Sequence, residues 1–125
     1  DLGMTADVGT LQRLPRLIPD GMVRELAYTG RNMDAEEARE LGFINRVFED
    51  RDTLMREVMA IAQAIAAKSP LAVRGSKEML LYSRDHPVTD SLNYIATWNA
   101  GMLSEADLQA GLQAQLEKRQ ASYED

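Results

Sequence analysis

The chain has 125 residues, 45% of them hydrophobic and 27% charged, with seven Met and few aromatics. That balance excludes a disordered or fibrous protein, and the length suffices for one domain with a buried core. A net charge of −6 argues against broad nucleic-acid binding, and the absence of cysteine excludes disulfides and thiolate chemistry. No apolar run approaches the ~20 residues that span a bilayer. The chain opens at Asp1 with no initiator Met, basic segment or apolar stretch, so no secretory signal is expected. It reads as a processed or cleaved polypeptide.

In chain order, Asp1 to Pro15 reads as a loop leading into a short helix. Gly3 and Gly9 loosen the backbone on either side of Met4 to Val8. Leu11 and Leu14 have helical spacing from about Thr10, and Pro15 cuts the run short. Asp20 is placed to cap a helix running to about Tyr28, with Gly30 as its left-handed exit. Asp34 and Glu37 have capping-box spacing for a helix over Ala35 to Leu41, which Gly42 ends. Phe43 to Phe48 reads as an extended, partly buried stretch, a short strand or strand-like link.

Three longer helices and a final one follow. Leu54, Val58, Ile61, Ala62 and Ile65 form an apolar stripe, predicting an amphipathic helix over Thr53 to Lys68. Ser69-Pro70 is an N-cap with proline at the first helical position, opening a helix towards Arg84 that His86-Pro87 ends. Thr89 or Asp90 starts another, with Leu92, Ile95, Ala96 and Asn99 on one face. Ser104 and Asp107 cap the last helix, whose Leu108, Leu112 and Leu116 make a seam too thin for a buried helix. That seam suits a helix lying across a surface, such as that of another subunit. The fold class is therefore mainly α, six or seven helices with almost no sheet.

Several familiar sites are missing. There is neither a phosphate-binding loop with Lys-Ser/Thr nor a GxGxxG after a strand. One His and no Cys leave metal ligation to carboxylates alone, and no metal is expected. His86, just before Pro87, reads as a helix-end residue that meets terminal carbonyls. The runs Glu36 to Glu40 and Glu49 to Asp52 read as solvated faces or turns. By spacing alone Asp7 is an N-cap for Thr10 onwards; the sharper alternative is a buried carboxylate that transfers protons.

The run Asp1 to Leu14, DLGMTADVGTLQRL, bears on that choice. It resembles the segment that follows the catalytic Glu in the crotonase (enoyl-CoA hydratase/isomerase) superfamily, whose helix opens with the Gln-Arg-Leu of residues 12 to 14. Hydratases typically have Gly where Asp7 stands, whereas the dienoyl-CoA isomerase branch has Asp in a very similar context. Gly30, Arg31, Ala38, Gly42 and Val47 are in register with a further family stretch, and Lys68-Ser69-Pro70 and Lys77 with a later helix. Residues 82–86 (YSRDH) and 96–99 (ATWN) resemble the isomerase branch in particular.

The resemblance implies that this is the C-terminal half of an α/β spiral enzyme acting on acyl-CoA thioesters in fatty-acid β-oxidation. Residues 1–49 would end the spiral core and residues 50–125 would form a helical trimerisation region. It implies Asp7 as one of two proton-transfer carboxylates that shift 3,5-dienoyl-CoA to 2,4-dienoyl-CoA. The other, a Glu two residues before Asp1, and the two oxyanion-hole N–H donors would belong to an N-terminal half of the same protein. Lys118 corresponds to a basic position that contacts the CoA nucleotide in some hydratases; the alternative is an exposed Lys favoured by the helix dipole. Trp98 and Tyr82 read as core aromatics or as lining of an acyl pocket. No cofactor is implied, coenzyme A being part of the substrate, and no nucleic-acid or membrane partner is expected. A homotrimer or hexamer is implied, in the cytoplasm if bacterial or the mitochondrial matrix if eukaryotic. The competing readings are an enoyl-CoA hydratase and a non-catalytic helical oligomerisation fragment.

Overall fold

The computed structural model describes residues 3–123. Among them are seven α-helices, one short 3-10 helix and no strand. Two compact units divide the chain, one up to Met55 and one from Arg56.

The first unit is built from short helices. α1 (Thr10–Arg13) is a single turn that tightens into a 3-10 helix over Leu14–Arg16. Pro15 has no N–H to continue the α pattern, which is why the run changes there. α2 spans Asp20–Thr29 and ends at Gly30 in the left-handed region, φ 67°. Asp20, expected as the cap, is instead the first helical residue. Pro19 occupies the cap with its own fixed φ, and the Asp20 carboxylate accepts from Arg24 Nε at 2.6 Å.

α3 (Ala35–Glu40) starts as the spacing predicted: the Asp34 carboxylate accepts from the Glu37 backbone N–H at 2.8 Å. At its end Gly42 (φ 74°) lets two turns close, Gly42 N–H to Arg39 O at 3.0 Å and Phe43 N–H to Ala38 O at 2.9 Å. Arg31 joins α2 to α3. Its guanidinium meets both Glu37 carboxylate oxygens, at 2.8 and 2.6 Å, and Glu25 at 2.8 Å. Ile18, Val23 and Ala38 are buried, and burying an aliphatic side chain such as Ile or Val contributes about 1.5–3 kcal/mol.

The strand expected at Phe43 to Phe48 is not formed; the stretch is a series of bends and irregular backbone. A single extended segment has no ladder partner, and the Phe43 and Ile44 N–H groups turn back to Ala38 O instead. Ile44, Val47 and Phe48 are half-buried, as the hydrophobic run suggested, while Phe43 is exposed.

α4 spans Arg51–Ala66, and the division between the units falls within it. It begins two residues before the predicted start because the Asp50 carboxylate accepts from Thr53 N–H at 2.7 Å. Asp50, read from sequence as part of a solvated turn, is thus a cap, and that backbone hydrogen bond holds its carboxyl below the ordinary value. The predicted stripe is present, yet Leu54, Val58, Ile61 and Ile65 are all exposed.

The second unit adds α5 (Pro70–Tyr82), α6 (Val88–Met102) and α7 (Glu105–Leu116). Ser69 and Ser104 cap α5 and α7, accepting from Ala72 N–H at 3.2 Å and Asp107 N–H at 3.1 Å. α6 starts at Val88 behind Pro87. α5 and α6 pack on each other at buried Gly75, where the Trp98 indole lies against the helix backbone.

Candidate functional site

Asp7 lies in the irregular stretch before α1, between Gly3 (φ 66°) and Gly9 (φ 92°). It is not the helix cap. Gly9 holds that position in a left-handed conformation and no side chain caps the helix. The structural reason that spacing offered for an aspartate here is therefore absent. What fixes the segment is the start of α1, where Arg13 N–H bonds Gly9 O at 3.0 Å and half-buried Leu11 and Leu14 face inward. Asp7 itself is exposed. Carboxylates that move protons between carbon atoms work in sites that exclude water, and the described residues of the first unit do not enclose this one.

Lys118 belongs to the second unit and ends α7. It is the one described non-glycine residue with positive φ, at 53°. Its N–H bonds Gln115 O at 3.2 Å, and Arg119 N–H bonds Ala114 O at 3.0 Å. This is a Schellman exit with lysine where glycine is usual. The Lys118 side chain is exposed. Next to it, Arg119 Nε pairs with Glu117 at 2.5 Å and lowers that carboxyl below its ordinary value.

A cavity of about 550 Å³ lies within the second unit, among α5, α6 and α7. Its apolar wall includes Met79, Ile95, Trp98 and Leu112, and one polar corner holds Ser69, Ser104 and Asp107. At that corner the Ser69 hydroxyl donates to the Asp107 carboxylate, a bond across 38 positions of sequence. Sequence spacing identified both serine caps and Asp107, but nothing in it signalled that the two caps meet through Asp107.

Trp98 lines this cavity; Tyr82 is half-buried in an aromatic row instead. The Tyr82 ring stacks on His86 with centroids 3.6 Å apart and approaches Tyr94 at 4.5 Å, and Tyr94 meets Trp98 edge-on at 6.4 Å. Burial, then the Glu78 carboxylate that accepts the Tyr94 hydroxyl at 3.2 Å, raises the Tyr94 phenol above its ordinary value. His86 Nδ1 lies 2.8 Å from Tyr82 O, the helix-end contact expected of it. Among the described residues no three His, Cys, Asp or Glu gather as a metal site, and no helix is long and apolar enough to cross a membrane.

A family model described as enoyl-CoA hydratase/isomerase matches residues 1–125. The chain is 50% identical over 120 residues to the mitochondrial Delta(3,5)-Delta(2,4)-dienoyl-CoA isomerase of Mus musculus, covering 95% of this chain and 37% of that protein. It is 37% identical over 122 residues to the carnitinyl-CoA dehydratase of Citrobacter koseri, covering 94% and 46%. Among solved structures, an enoyl-CoA hydratase from Bacillus anthracis matches with a TM-score of 0.90 at 36% identity, over 98% of this chain and 47% of that one. The chain thus spans little more than a third of the mouse isomerase, and its expected description as the C-terminal half of such an enzyme is not upheld.

Proposed function

We infer that this chain, which belongs to the enoyl-CoA hydratase/isomerase family, is part of an enzyme that isomerises 3,5-dienoyl-CoA to 2,4-dienoyl-CoA. The observation that carries this reading is Asp7 itself, an aspartate released from any capping duty. It sits in a segment whose sequence resembles the isomerase branch. The 50% identity to the mouse isomerase, against 37% to the Citrobacter dehydratase, supports the same choice.

In this reading one carboxylate removes the proton alpha to the thioester, giving a dienolate. A second carboxylate delivers a proton at the far end, so the double bonds move into conjugation with no net gain or loss of atoms. Asp7 performs one of these transfers. The second carboxylate and the donors that stabilise the charge on the thioester oxygen come from polypeptide that this chain does not span. The chain by itself therefore holds one half of an acid/base pair. Lys118 is the candidate contact for a CoA phosphate, as an exposed ammonium at the end of α7. Residues 1–49 would serve the catalytic core and residues 50–125 a homotrimeric or hexameric contact region. The exposed apolar residues of α4, α6 and α7 favour that assignment. A mitochondrial location would follow that of the mammalian relatives, by their names.

The test is turnover of 3,5-dienoyl-CoA by the intact protein and by its Asp7→Asn variant, followed through the absorbance of the conjugated product. The variant is expected to lose on the order of 10²–10⁴ in rate. Unchanged isomerisation overturns the reading. Hydration of 2-enoyl-CoA that survives Asp7→Asn, with no isomerisation by the wild type, would favour the hydratase alternative, the activity for which the Bacillus anthracis protein is named.

A further inference from the structure

We propose that Arg13 is a positioning residue for Asp7, its side chain folded back as a strap across Gly9. The inference rests on the reading of Asp7 as a proton-transfer carboxylate. Gly9 stands two residues after Asp7 at φ 92°, a backbone setting that favours glycine. With no Cβ it is also a free hinge, and rotation there swings Asp7 relative to α1. The Arg13 side chain occupies the face that a side chain on Gly9 would fill. Its Nε lies 3.5 Å from the ideal Cβ position, with Cδ and Cζ both at 3.8 Å. These are packing distances, so a neighbour walls in the glycine that has no side chain of its own.

Arg13 is itself anchored. Its N–H bonds Gly9 O at 3.0 Å, so the backbone and the side chain of one residue grip the same glycine. No side chain caps α1, and the grip takes the place of a cap. On its other side Arg13 leads directly into the 3-10 helix. There the Leu17 and Ile18 N–H groups bond Leu14 O at 2.9 and 3.1 Å, and Ile18 is buried. A continuous run therefore links the core of the first unit, through Leu14, Arg13 and Gly9, to the carboxylate. What the strap supplies is placement. A group displaced by about 1 Å from its productive position can cost on the order of 10²-fold in rate.

Steady-state kinetics of the intact protein on 3,5-dienoyl-CoA test this. Arg13→Ala should lower kcat by about ten- to a hundredfold with KM nearly unchanged. Arg13→Met, whose side chain reaches as far as the Nε position, should stay close to the wild type, and so should Arg13→Lys. In an Asp7→Asn background, Arg13→Ala should add no further loss, because it acts through the carboxylate already removed. Wild-type kcat in Arg13→Ala would overturn the positioning role alone, as would an equal fractional loss in the Asp7→Asn background. An Arg13→Met variant as slow as Arg13→Ala would also overturn it, since charge and not the contact with Gly9 would then be what matters. A rise in KM with kcat unchanged would place Arg13 in substrate binding instead. Unchanged isomerisation by Asp7→Asn is the distinct outcome that removes the underlying reading, and this role with it.

Discussion

The Trp98 indole Nε1 lies 2.7 Å from the point where a Cβ on Gly75 would stand, with Cε2 at 3.2 Å. The ring is rigid, and neither it nor the helix backbone can move aside cheaply. Gly75 costs α5 up to about 1 kcal/mol in helix propensity relative to alanine. The close seat of Trp98 explains why a glycine stands in mid-helix.

Gly75→Ala should therefore destabilise the protein despite its better propensity. Overpacking of about 1–3 kcal/mol outweighs the gain. Combining it with Trp98→Leu should recover part of the loss, since the clashing ring is gone. Denaturant unfolding of the single and double variants checks both; a stabilised Gly75→Ala would mean that Trp98 is not seated on α5.

Lys118→Gly should stabilise the protein by about 0.5–1 kcal/mol, because glycine adopts the left-handed exit without steric cost. The same change removes the ammonium assigned to the CoA phosphate. Lys118→Gln separates the two effects: it keeps the backbone strain and removes the charge. KM for the CoA substrate should rise in both variants with kcat nearly unchanged, whereas only glycine should raise stability. An unaltered KM in both would leave Lys118 as a solvated helix end.

Glu37 should make acid sensitivity visible. The Arg31 hydrogen bond, with a smaller contribution from the Asp34 N–H, holds its carboxyl below the ordinary 4.5. A depressed folded-state value means stability that is present above the unfolded value and lost as pH falls through the folded one. The stability difference between wild type and Glu37→Gln should thus be constant near neutrality. It should shrink on acidification below about 4.5. Unfolding measured at neutral pH and at pH about 3 checks it. A difference independent of pH would place the effect in packing instead of charge.

Asp34→Ala should cost about 1 kcal/mol, by leaving the Glu37 N–H without its cap. Local exchange of α3 should rise with it. Loss confined to global stability, with α3 exchange unchanged relative to its neighbours, would argue against the cap.

Much of the helical order is legible in short stretches. Ser69-Pro70, Ser104 with Asp107, and Asp34 with Glu37 each act within four residues, and each stands where spacing puts it. The departures from expectation share a cause. Asp20 yields the cap to Pro19, and Asp50, read as part of a solvated face or turn, takes one at the same three-residue spacing as Asp34, because neighbouring residues compete for the same few N–H groups. Phe43 to Phe48 has the composition of a strand, but a strand requires a partner that no local pattern supplies. Asp7 is ambiguous in sequence between cap and chemistry; the structure removes the cap by putting left-handed Gly9 in its place.

By itself, then, the sequence pointed to the family through the resemblance of its motifs, and it narrowed the helices to six or seven with most of their ends, the latter because capping and periodicity operate over a few neighbouring residues. Tertiary structure alone decided that Trp98 rests on Gly75, that the caps of α5 and α7 meet at Asp107, and that the stripe of α4 lies exposed. Each of these depends on groups far apart in the chain or on surface left uncovered. Periodicity says which face of a helix is apolar; only the placement of the other elements says whether anything covers it.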